Sequence, residues 1–220
     1  MRSLLLLRPE PGLSASAERA KALGMDVLGV PLFRVEPIQW QAPDPAGYDA
    51  LLLTSANAVR HGGPELGALK DLPVHAVGAA TAAAARDAGF AVASVGEAGV
   101  AELLARLPGR QRLLHLAGED RREVARDHAV DVRMVYRSTA IDQPALPPLE
   151  SLVIAVHSPR AGSRLAELAD RRDRTAIAAI SAEAAHACGV GWEALEAADA
   201  PDDACLLALA ARLCQTSSPK

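Results

Sequence analysis

The sequence has few aromatic residues, no excess of basic charge and few cysteines. Aromatic side chains make up 3% of its 220 residues, too few for the stacking platforms that bind single-stranded nucleic acids. The formal net charge is −4, whereas a surface that neutralises many phosphates is basic, so we expect no nucleic-acid partner. The three cysteines show no C-x-x-C spacing and are expected to be small buried side chains rather than redox or metal-binding groups.

Long apolar runs, metal-ligand spacings and common catalytic motifs are also missing. The longest aliphatic run near the N-terminus, Leu4–Leu7, is far shorter than a signal sequence or a membrane span. We therefore expect a cytoplasmic protein with no membrane partner. The six histidines lack the short spacings of a zinc site, and we expect no metal. The sequence contains no G-x-G-x-x-G, P-loop or G-x-S-x-G motif.

Short apolar runs alternate along the chain with Ala-rich segments. The runs predict strands at Leu4–Leu7, Val27–Phe33, Leu51–Leu53, Val74–Val77, Ala91–Val95, Leu113–Leu116, Val132–Tyr136, Leu152–Val156 and Ala176–Ile180. Helices are predicted at Leu13–Leu23, Thr81–Ala88, Val100–Leu107 and Ala204–Leu213. Continuous apolar runs are typical of strands that are buried on both faces of a parallel sheet. The alternation therefore predicts a doubly wound α/β architecture with parallel sheets.

The two halves of the chain share a motif and its spacing. Residues 51–58 and 154–161 both read as an apolar strand followed by x-Ser-x-x-Ala. The same number of residues separates Ser55 from Gly78 and Ser158 from Ser181, where a second strand ends in a very small residue. Two similar lobes are therefore expected, rather than one sheet.

Two proline-rich stretches flank the first copy and suggest where the chain crosses between the lobes. These stretches, Phe33–Pro45 and Arg137–Pro148, show little periodicity. We expect a continuous lobe at residues 41–131 and a discontinuous lobe made of 1–34 and 146–220. Residues 35–40 and 132–145 are expected to be the linker strands between them.

Small or hydroxyl-bearing residues follow several predicted strands where helices begin. They are Thr54-Ser55-Ala56-Asn57, Gly78-Ala79-Ala80-Thr81, Gly118-Glu119, Ser158-Pro159 and Ser181-Ala182. Ligands of doubly wound sheets bind at the carboxyl ends of the strands, and the free N–H groups of a helix start favour an anion. Ends of this kind facing one cleft would suit a ligand with many carboxylates. The alternative is that Ser55, Ser158 and Ser181 only cap their helices.

Short motifs in a fixed order extend this pattern over essentially the whole chain. They are Arg8-Pro9-Glu10, Val30-Pro31-Leu32, Tyr48-Asp49-Ala50-Leu51, Thr54-Ser55-Ala56-Asn57-Ala58-Val59, Ala76-Val77-Gly78, Ala80-Thr81-Ala82, Gly118-Glu119, Val135-Tyr136-Arg137-Ser138 and Ser158-Pro159. The ordered set resembles the uroporphyrinogen-III synthase family. The resemblance implies two flavodoxin-like doubly wound lobes joined by a two-stranded β-ribbon. It also implies a cofactor-free lyase of tetrapyrrole biosynthesis, which converts hydroxymethylbilane to uroporphyrinogen III and inverts the last pyrrole ring, ring D.

The resemblance also implies roles for individual residues and partners. Tyr136 would be the catalytic proton donor to the departing hydroxyl; the alternative is a ribbon residue that packs on the hinge. The eight carboxylates of the substrate would be bound by Arg8, Thr54, Ser55, Ala56, Asn57, Gly78, Ala79, Ala80, Thr81, Gly118, Glu119, Ser158, Pro159, Ser181 and Ala182. A monomer is expected, with a transient hand-over of substrate from hydroxymethylbilane synthase.

Two positions depart from the family pattern. Ser181-Ala182-Glu183-Ala184 stands where a Gly-Pro-Thr-Thr-like motif is usual, so threonine hydroxyls are missing and Glu183 adds negative charge. Ala117 stands where an arginine is common, with Arg121 and Arg122 close by in the sequence. These departures favour one alternative, a catalytically inactive two-lobed anion-binding or regulatory module. A periplasmic-type binding protein is disfavoured because no signal peptide is recognised.

Overall fold

The computed structural model describes residues 1–97, 99–120 and 128–216. Its strands are β1 (Leu4–Leu6), β2 (Val27–Gly29), β3 (Phe33–Pro37), β4 (Ala50–Leu53), β5 (Val74–Val77), β6 (Val92–Gly96), β7 (Arg112–Gly118), β8 (Ala129–Ala140), β9 (Val153–Val156), β10 (Ala176–Ala179) and β11 (Ala194–Ala197). Its α-helices are α1 (Gly12–Ala22), α2 (Ala56–His61), α3 (Ala79–Asp87), α4 (Val100–Ala105), α5 (Pro159–Leu168), α6 (Ala182–Ala187) and α7 (Asp203–Gln215). Short 3-10 helices span Pro45–Gly47 and Pro64–Leu69.

Unit 1 combines Met1–Arg34 with the chain from Ala140 onward. Its five strands have the order β11-β10-β9-β1-β2 and are all parallel. With the strands numbered along the chain this is the order 2-1-3-4-5 of flavodoxin-like sheets. The N-terminal β-α-β segment therefore belongs to the same sheet as the C-terminal strands.

Unit 2 is continuous and comprises Val35–Thr139. Its sheet has the order β3-β8-β7-β4-β5-β6, and β4 to β8 are parallel. Strand β3 runs antiparallel to β8 at the edge, where the Ile38 N–H donates to the Val135 carbonyl (3.0 Å). The five parallel strands read 3-2-1-4-5 along the chain, so the two units are both doubly wound, as predicted, but with circularly permuted strand order. Strands β7 and β8 occupy the positions that β1 and β2 hold in unit 1.

The aliphatic runs are strands because both of their faces are covered. In β1, Leu4 and Leu6 belong to one core cluster of unit 1, whereas Leu5 and the following Leu7 belong to the cluster on the opposite face. All four side chains are essentially inaccessible to solvent. Alternate residues of a strand point to opposite faces, so a strand between two helix layers must be apolar at every position.

The structure corrects one predicted strand and extends another. Val27–Phe33 is wrong as a single strand, because β2 ends at Gly29 and β3 begins at Phe33. Pro31 lies between them and has no N–H for a ladder hydrogen bond. Strand β8 covers Ala129–Ala140 rather than only Val132–Tyr136. The residues that extend it include the polar Asp131, Arg137, Ser138 and Thr139, so the apolar run marked only its middle.

The chain passes between the units at residues 34–35 and 139–140. In this division residues 35–40 and 132–139 of the predicted linker lie in unit 2, and residues 140–145 lie in unit 1. Both transitions fall within strands, β3 and β8.

The cysteines differ in their surroundings, and no described helix could cross a membrane. Cys188 and Cys214 are buried, as predicted. The prediction is wrong for Cys205, which is half-buried. The buried face of α7 is formed by Leu206, Leu207, Ala210, Leu213 and Cys214 instead. Among the helices that the structure describes, none combines the length and the apolarity of a membrane span.

Candidate active site

In unit 2 the carboxyl ends of four neighbouring strands form one edge of the sheet. The order β8-β7-β4-β5 is parallel throughout, with Leu53 of β4 paired to Leu116 of β7 and to Ala76 of β5. Gly118 ends β7, and Thr54 and Gly78 directly follow β4 and β5. Tyr136 lies at the same level because it pairs with Gly118, although β8 continues to Ala140.

The turn from β4 into α2 is held by two hydroxyl groups. The Thr54 Oγ1 lies 3.0 Å from Nε2 of His115, a buried residue of β7. Ser55 is the N-cap of α2, and its Oγ accepts a hydrogen bond from the Asn57 N–H (3.2 Å). Ala56 is buried beneath this turn, while Thr54, Ser55 and Asn57 are half-buried. Ser55 therefore does cap the helix, and the residue as a whole remains partly accessible.

Gly78 ends the next strand in a conformation that favours glycine. Its φ is +83°, the left-handed region, directly before α3 begins at Ala79. Ala79 and Ala80 are exposed, so no bulky side chain covers the first turn of α3. Thr81 is buried. Its side chain is therefore less accessible to a ligand than the surface at Ala79 and Ala80.

Tyr136 lies beside Gly118 at the end of the β7–β8 pair. Its side chain is half-buried against the core of unit 2, and its carbonyl accepts a hydrogen bond from the Glu119 N–H (3.0 Å). Glu119 is exposed, and Ala117 is buried within β7. Arg121 and Arg122, the nearby arginines, lie outside the described residues.

In unit 1 the carboxyl ends of β10, β9 and β1 are likewise adjacent. Ser181 and Ser158 are the N-caps of α6 and α5, where their hydroxyls accept the N–H groups of Ala184 and Ala161 (both 3.2 Å). Pro159 and Ala182 are the first residues of these two helices. Glu183 is exposed in the first turn of α6, where a negative charge is favourable.

Arg8 follows β1 and belongs to a polar cluster at the same edge. Its Nη1 donates to Ser16 Oγ (2.9 Å) and to Asp203 Oδ1 (3.1 Å). That carboxylate oxygen also accepts from Ser16 Oγ (2.7 Å) and lies 2.8 Å from His157 Nε2. Arg19 approaches the second oxygen, with Nε at 3.1 Å from Oδ2. Residues that follow β1 and β9 therefore meet residues of α1 and α7 at Asp203.

The electrostatics of this cluster favour an anion. Burial raises the pKa of Asp203, but hydrogen bonds from His157 and Ser16 and the positive charge of Arg19 outweigh it and lower that pKa to about 2. Asp203 is thus ionised at neutral pH. Burial lowers the pKa of Arg8, opposed by the Asp203 charge, but an arginine stays charged. Two guanidinium groups against one carboxylate leave the cluster with an excess of positive charge.

Sequence reasoning missed His115, His157 and Asp203. In the sequence, His115 lies within a predicted strand and His157 within a strand-end motif. Neither pattern indicates the side chain that each histidine contacts. Asp202 and Asp203 are adjacent at the start of α7, and the sequence does not show which of them caps the helix. Asp202 is the N-cap and accepts the Cys205 N–H (2.8 Å), whereas Asp203 is the first helical residue and contacts Arg8. Across residues 1–97, 99–120 and 128–216, no group of three or more His, Cys, Asp or Glu side chains could hold a metal ion.

Comparison with known proteins places this geometry in a family. The family model described as "Uroporphyrinogen-III synthase HemD" matches residues 14–207. The crystal structure of uroporphyrinogen-III synthetase from Helicobacter pylori 26695 has a TM-score of 0.68 and 20% identity, over 97% of this chain and 100% of that chain. A mutant uroporphyrinogen III synthase from the extremely thermophilic bacterium Thermus thermophilus has a TM-score of 0.50 and 20% identity, over 97% and 100%.

At these identities the structural matches establish the fold, and the family model carries the assignment. No individual curated protein sequence matches the chain significantly. The family model nevertheless extends from α1 into α7, and so covers the whole unit 2 edge and the ends of β9 and β10 in unit 1. The chain belongs to the uroporphyrinogen-III synthase family.

Proposed function

We propose that this enzyme is a lyase that closes hydroxymethylbilane to uroporphyrinogen III with loss of water and inversion of ring D, without a cofactor. The single observation that carries the proposal is the position of Tyr136. This half-buried phenol stands at the carboxyl edge of a doubly wound sheet, the edge at which ligands of such sheets bind. It is flanked there by the small-residue turns of the neighbouring strands.

The reaction needs one proton donor and one proton acceptor over the whole cycle. The C–O bond of the hydroxymethyl group breaks, and the Tyr136 phenol supplies the proton with which the hydroxyl leaves as water. Ring closure first forms a C–C bond from the hydroxymethyl carbon to the substituted α-carbon of ring D, which gives a spiro intermediate. The C–C bond from that α-carbon to the bridge between rings C and D then breaks, and the bridge carbon bonds to the other α-carbon of ring D. This inverts ring D, and the newly bonded α-carbon releases its proton. That proton returns to the phenolate, so the enzyme is unchanged and one water is lost.

Most of the catalytic effect is expected from positioning. The substrate can close by itself without ring inversion, so the enzyme must hold its chain in the geometry of the inverting route. We assign carboxylate binding in unit 2 to the turns that hold Thr54–Asn57, Gly78–Thr81 and Gly118–Glu119. In unit 1 we assign it to Arg8, Ser158–Pro159 and Ser181–Ala182. Helix-start N–H groups that no other group engages, together with the Arg8 guanidinium, provide donors without a cofactor.

The setting of the enzyme follows from the substrate. Because hydroxymethylbilane closes spontaneously, a transient hand-over from hydroxymethylbilane synthase would protect the inverting route. We further propose that the enzyme acts in the cytoplasm, as a monomer.

The test couples the chain to a hydroxymethylbilane synthase and separates the oxidised porphyrins by chromatography. We expect isomer III as the main product, and isomer I alone without the chain. Tyr136→Phe should lower the rate of isomer III formation by about 100-fold, the size of a lost general acid.

The second tyrosine provides the matched control. Tyr48 is half-buried like Tyr136, but its hydroxyl makes a solvent-exposed hydrogen bond to Asp131 (2.9 Å), so Tyr48→Phe should form isomer III at the normal rate. Isomer I alone from folded wild-type chain would contradict the synthase assignment and favour the inactive anion-binding module.

A further inference from the structure

Tyr136 reaches its position through an irregularity in the β7–β8 ladder. The pairing is regular from Arg112 with Ala129 to Ala117 with Met134, and then shifts so that Gly118 pairs with Tyr136. Strand β8 thus contributes one extra residue, Val135, at the shift. Such bulges turn a side chain away from the normal alternation.

The bulge places two successive side chains against the same core. Val135 is fully buried in the main core cluster of unit 2, and Tyr136 packs on that cluster too. In a regular strand these two side chains would point to opposite faces. The Glu119 N–H bond to the Tyr136 carbonyl (3.0 Å) holds the backbone beyond the shift.

The phenol ring lies directly over Gly118. A Cβ at position 118 would stand 2.7 Å from the Cε2 and Cζ atoms of Tyr136 and 3.0 Å from its hydroxyl oxygen. No side chain tolerates such contacts, so any residue larger than glycine must displace the ring. The requirement is steric, since Gly118 is not among the glycines with positive φ.

A second ring stands near the phenol. His61, the last residue of α2, has its ring centroid 6.4 Å from that of Tyr136, with the planes inclined by 39°. This separation is within the range of aromatic pairs. Burial, with a smaller effect of Arg60, lowers the pKa of His61, so its imidazole is neutral at neutral pH and can pack on the phenol without a charge.

We propose that Gly118 and His61 are positioning residues that hold the Tyr136 phenol from two sides. The inference rests on the proposed role of Tyr136 as proton donor. It gives Gly118 a different task from carboxylate binding: the glycine leaves room for the ring. His61 acts by packing, not by transferring a proton.

A double-mutant cycle tests the role of Gly118. Gly118→Ala should lower kcat for isomer III by about 10- to 100-fold, with KM changed by less than about threefold. In a Tyr136→Phe background the same substitution should cost less than about twofold, because the hydroxyl it misplaces is already gone. A rise in KM, or an equal loss in both backgrounds, would overturn the proposal in favour of direct substrate binding.

Gly67→Ala is the matched control, since a Cβ there would meet nothing within 4 Å and Gly67 lies in the 3-10 helix Pro64–Leu69. It should leave both kcat and KM unchanged.

A spectroscopic readout separates this proposal from the proposed reaction. The chain has two tyrosines, so fluorotyrosine labelling gives two ¹⁹F resonances, which Tyr48→Phe assigns. Gly118→Ala should shift the Tyr136 resonance and leave that of Tyr48 in place, whatever the enzyme makes. An unmoved Tyr136 resonance in folded Gly118→Ala protein would refute the positioning role even if the synthase activity is confirmed.

His61 provides a test that does not depend on the folding of Gly118→Ala. His61→Ala should lower kcat several-fold, and His61→Phe should restore it, because a phenyl ring can pack on the phenol. If His61→Ala is fully active, or if His61→Phe is as impaired as His61→Ala, then His61 does not act by packing.

Discussion

At the scale of single residues, Asp203 is held by four polar side chains of unit 1. One of its oxygens contacts Arg8, Ser16 and His157, and the other faces Arg19. Its side chain is 15% exposed, so water screens these contacts only in part. A charged group held in this way stabilises the fold and also orients the Arg8 guanidinium.

Asp203→Asn should therefore lower the free energy of unfolding at pH 7 by about 2–3 kcal/mol. The folded-state pKa of Asp203, about 2, lies below the ordinary value of 3.8. Its ionisation thus adds stability that is fully present above about pH 4. This stability is lost as the pH falls towards 2, so the difference between wild type and variant should shrink over that interval. Urea denaturation at a series of pH values measures it.

The neighbouring aspartate is the control for this comparison. Asp202 caps α7 through the Cys205 N–H, and asparagine caps about as well as aspartate. Asp202→Asn should cost less than about 0.5 kcal/mol. A pH-independent difference for Asp203→Asn, or an equal cost for both variants, would show that the cluster does not act through the Asp203 charge.

At the scale of secondary-structure elements, two helices of unit 1 pack so closely that one position between them has room only for glycine. Gly162 lies in α5, and a Cβ there would approach the Ala184 carbonyl oxygen of α6 to 2.8 Å and Cys188 Sγ to 3.0 Å. The glycine therefore lets α5 and α6 approach each other. These are the helices capped by Ser158 and Ser181, so their spacing also sets the distance between two proposed binding turns.

Gly162→Ala should lower the free energy of unfolding by about 1–3 kcal/mol, the usual cost of overpacking. This is opposite in sign to intrinsic propensity, by which alanine stabilises a helix interior by about 1 kcal/mol over glycine. Chemical denaturation decides between the two signs. Gly47→Ala, where the space around the Cβ is open, should change stability little, and a stabilised Gly162→Ala would refute the close-packing argument.

At the scale of the whole molecule, two doubly wound units share one spatial order of strands but differ in how the chain runs through them. Strands β4, β5 and β6 of unit 2 correspond to β9, β10 and β11 of unit 1, which explains the repeated motif. The remaining two positions are filled by β7 and β8 in one unit and by β1 and β2 in the other. The linker role expected for residues 35–40 and 132–145 stays a prediction.

We expect the chain to be monomeric in solution. Among the described residues, the exposed large hydrophobic side chains are Met1, Leu23, Leu28, Met134 and Val190. They lie on separate elements or termini, whereas stable interfaces bury contiguous apolar patches. Light scattering after size-exclusion chromatography should give a mass near 22.9 kDa at any concentration. A concentration-independent mass of twice that value would show an interface that these side chains do not reveal.

Much of the architecture was predictable because local sequence patterns indicate it. Runs such as Leu4–Leu7 and Leu51–Leu53 are apolar at every position, as is typical of strands whose two faces are both covered. They therefore predict parallel sheets. The equal spacing from Ser55 to Gly78 and from Ser158 to Ser181 reported the duplication. By contrast, the apolar run Val27–Phe33 predicts one strand, but the structure has two strands there, with Pro31 between them.

The sequence by itself determined the fold class, the strand ends that carry the small residues, and the family resemblance, since each depends on neighbouring residues or on a fixed order. Only the tertiary structure decided which side chains meet there. Arg8, His157 and Asp203 come from distant parts of the chain, and their contact depends on the strand order β9-β1. Tyr136 covers Gly118 because the register of two strands shifts by one residue. No single segment carries that register, because it arises when the strands pair.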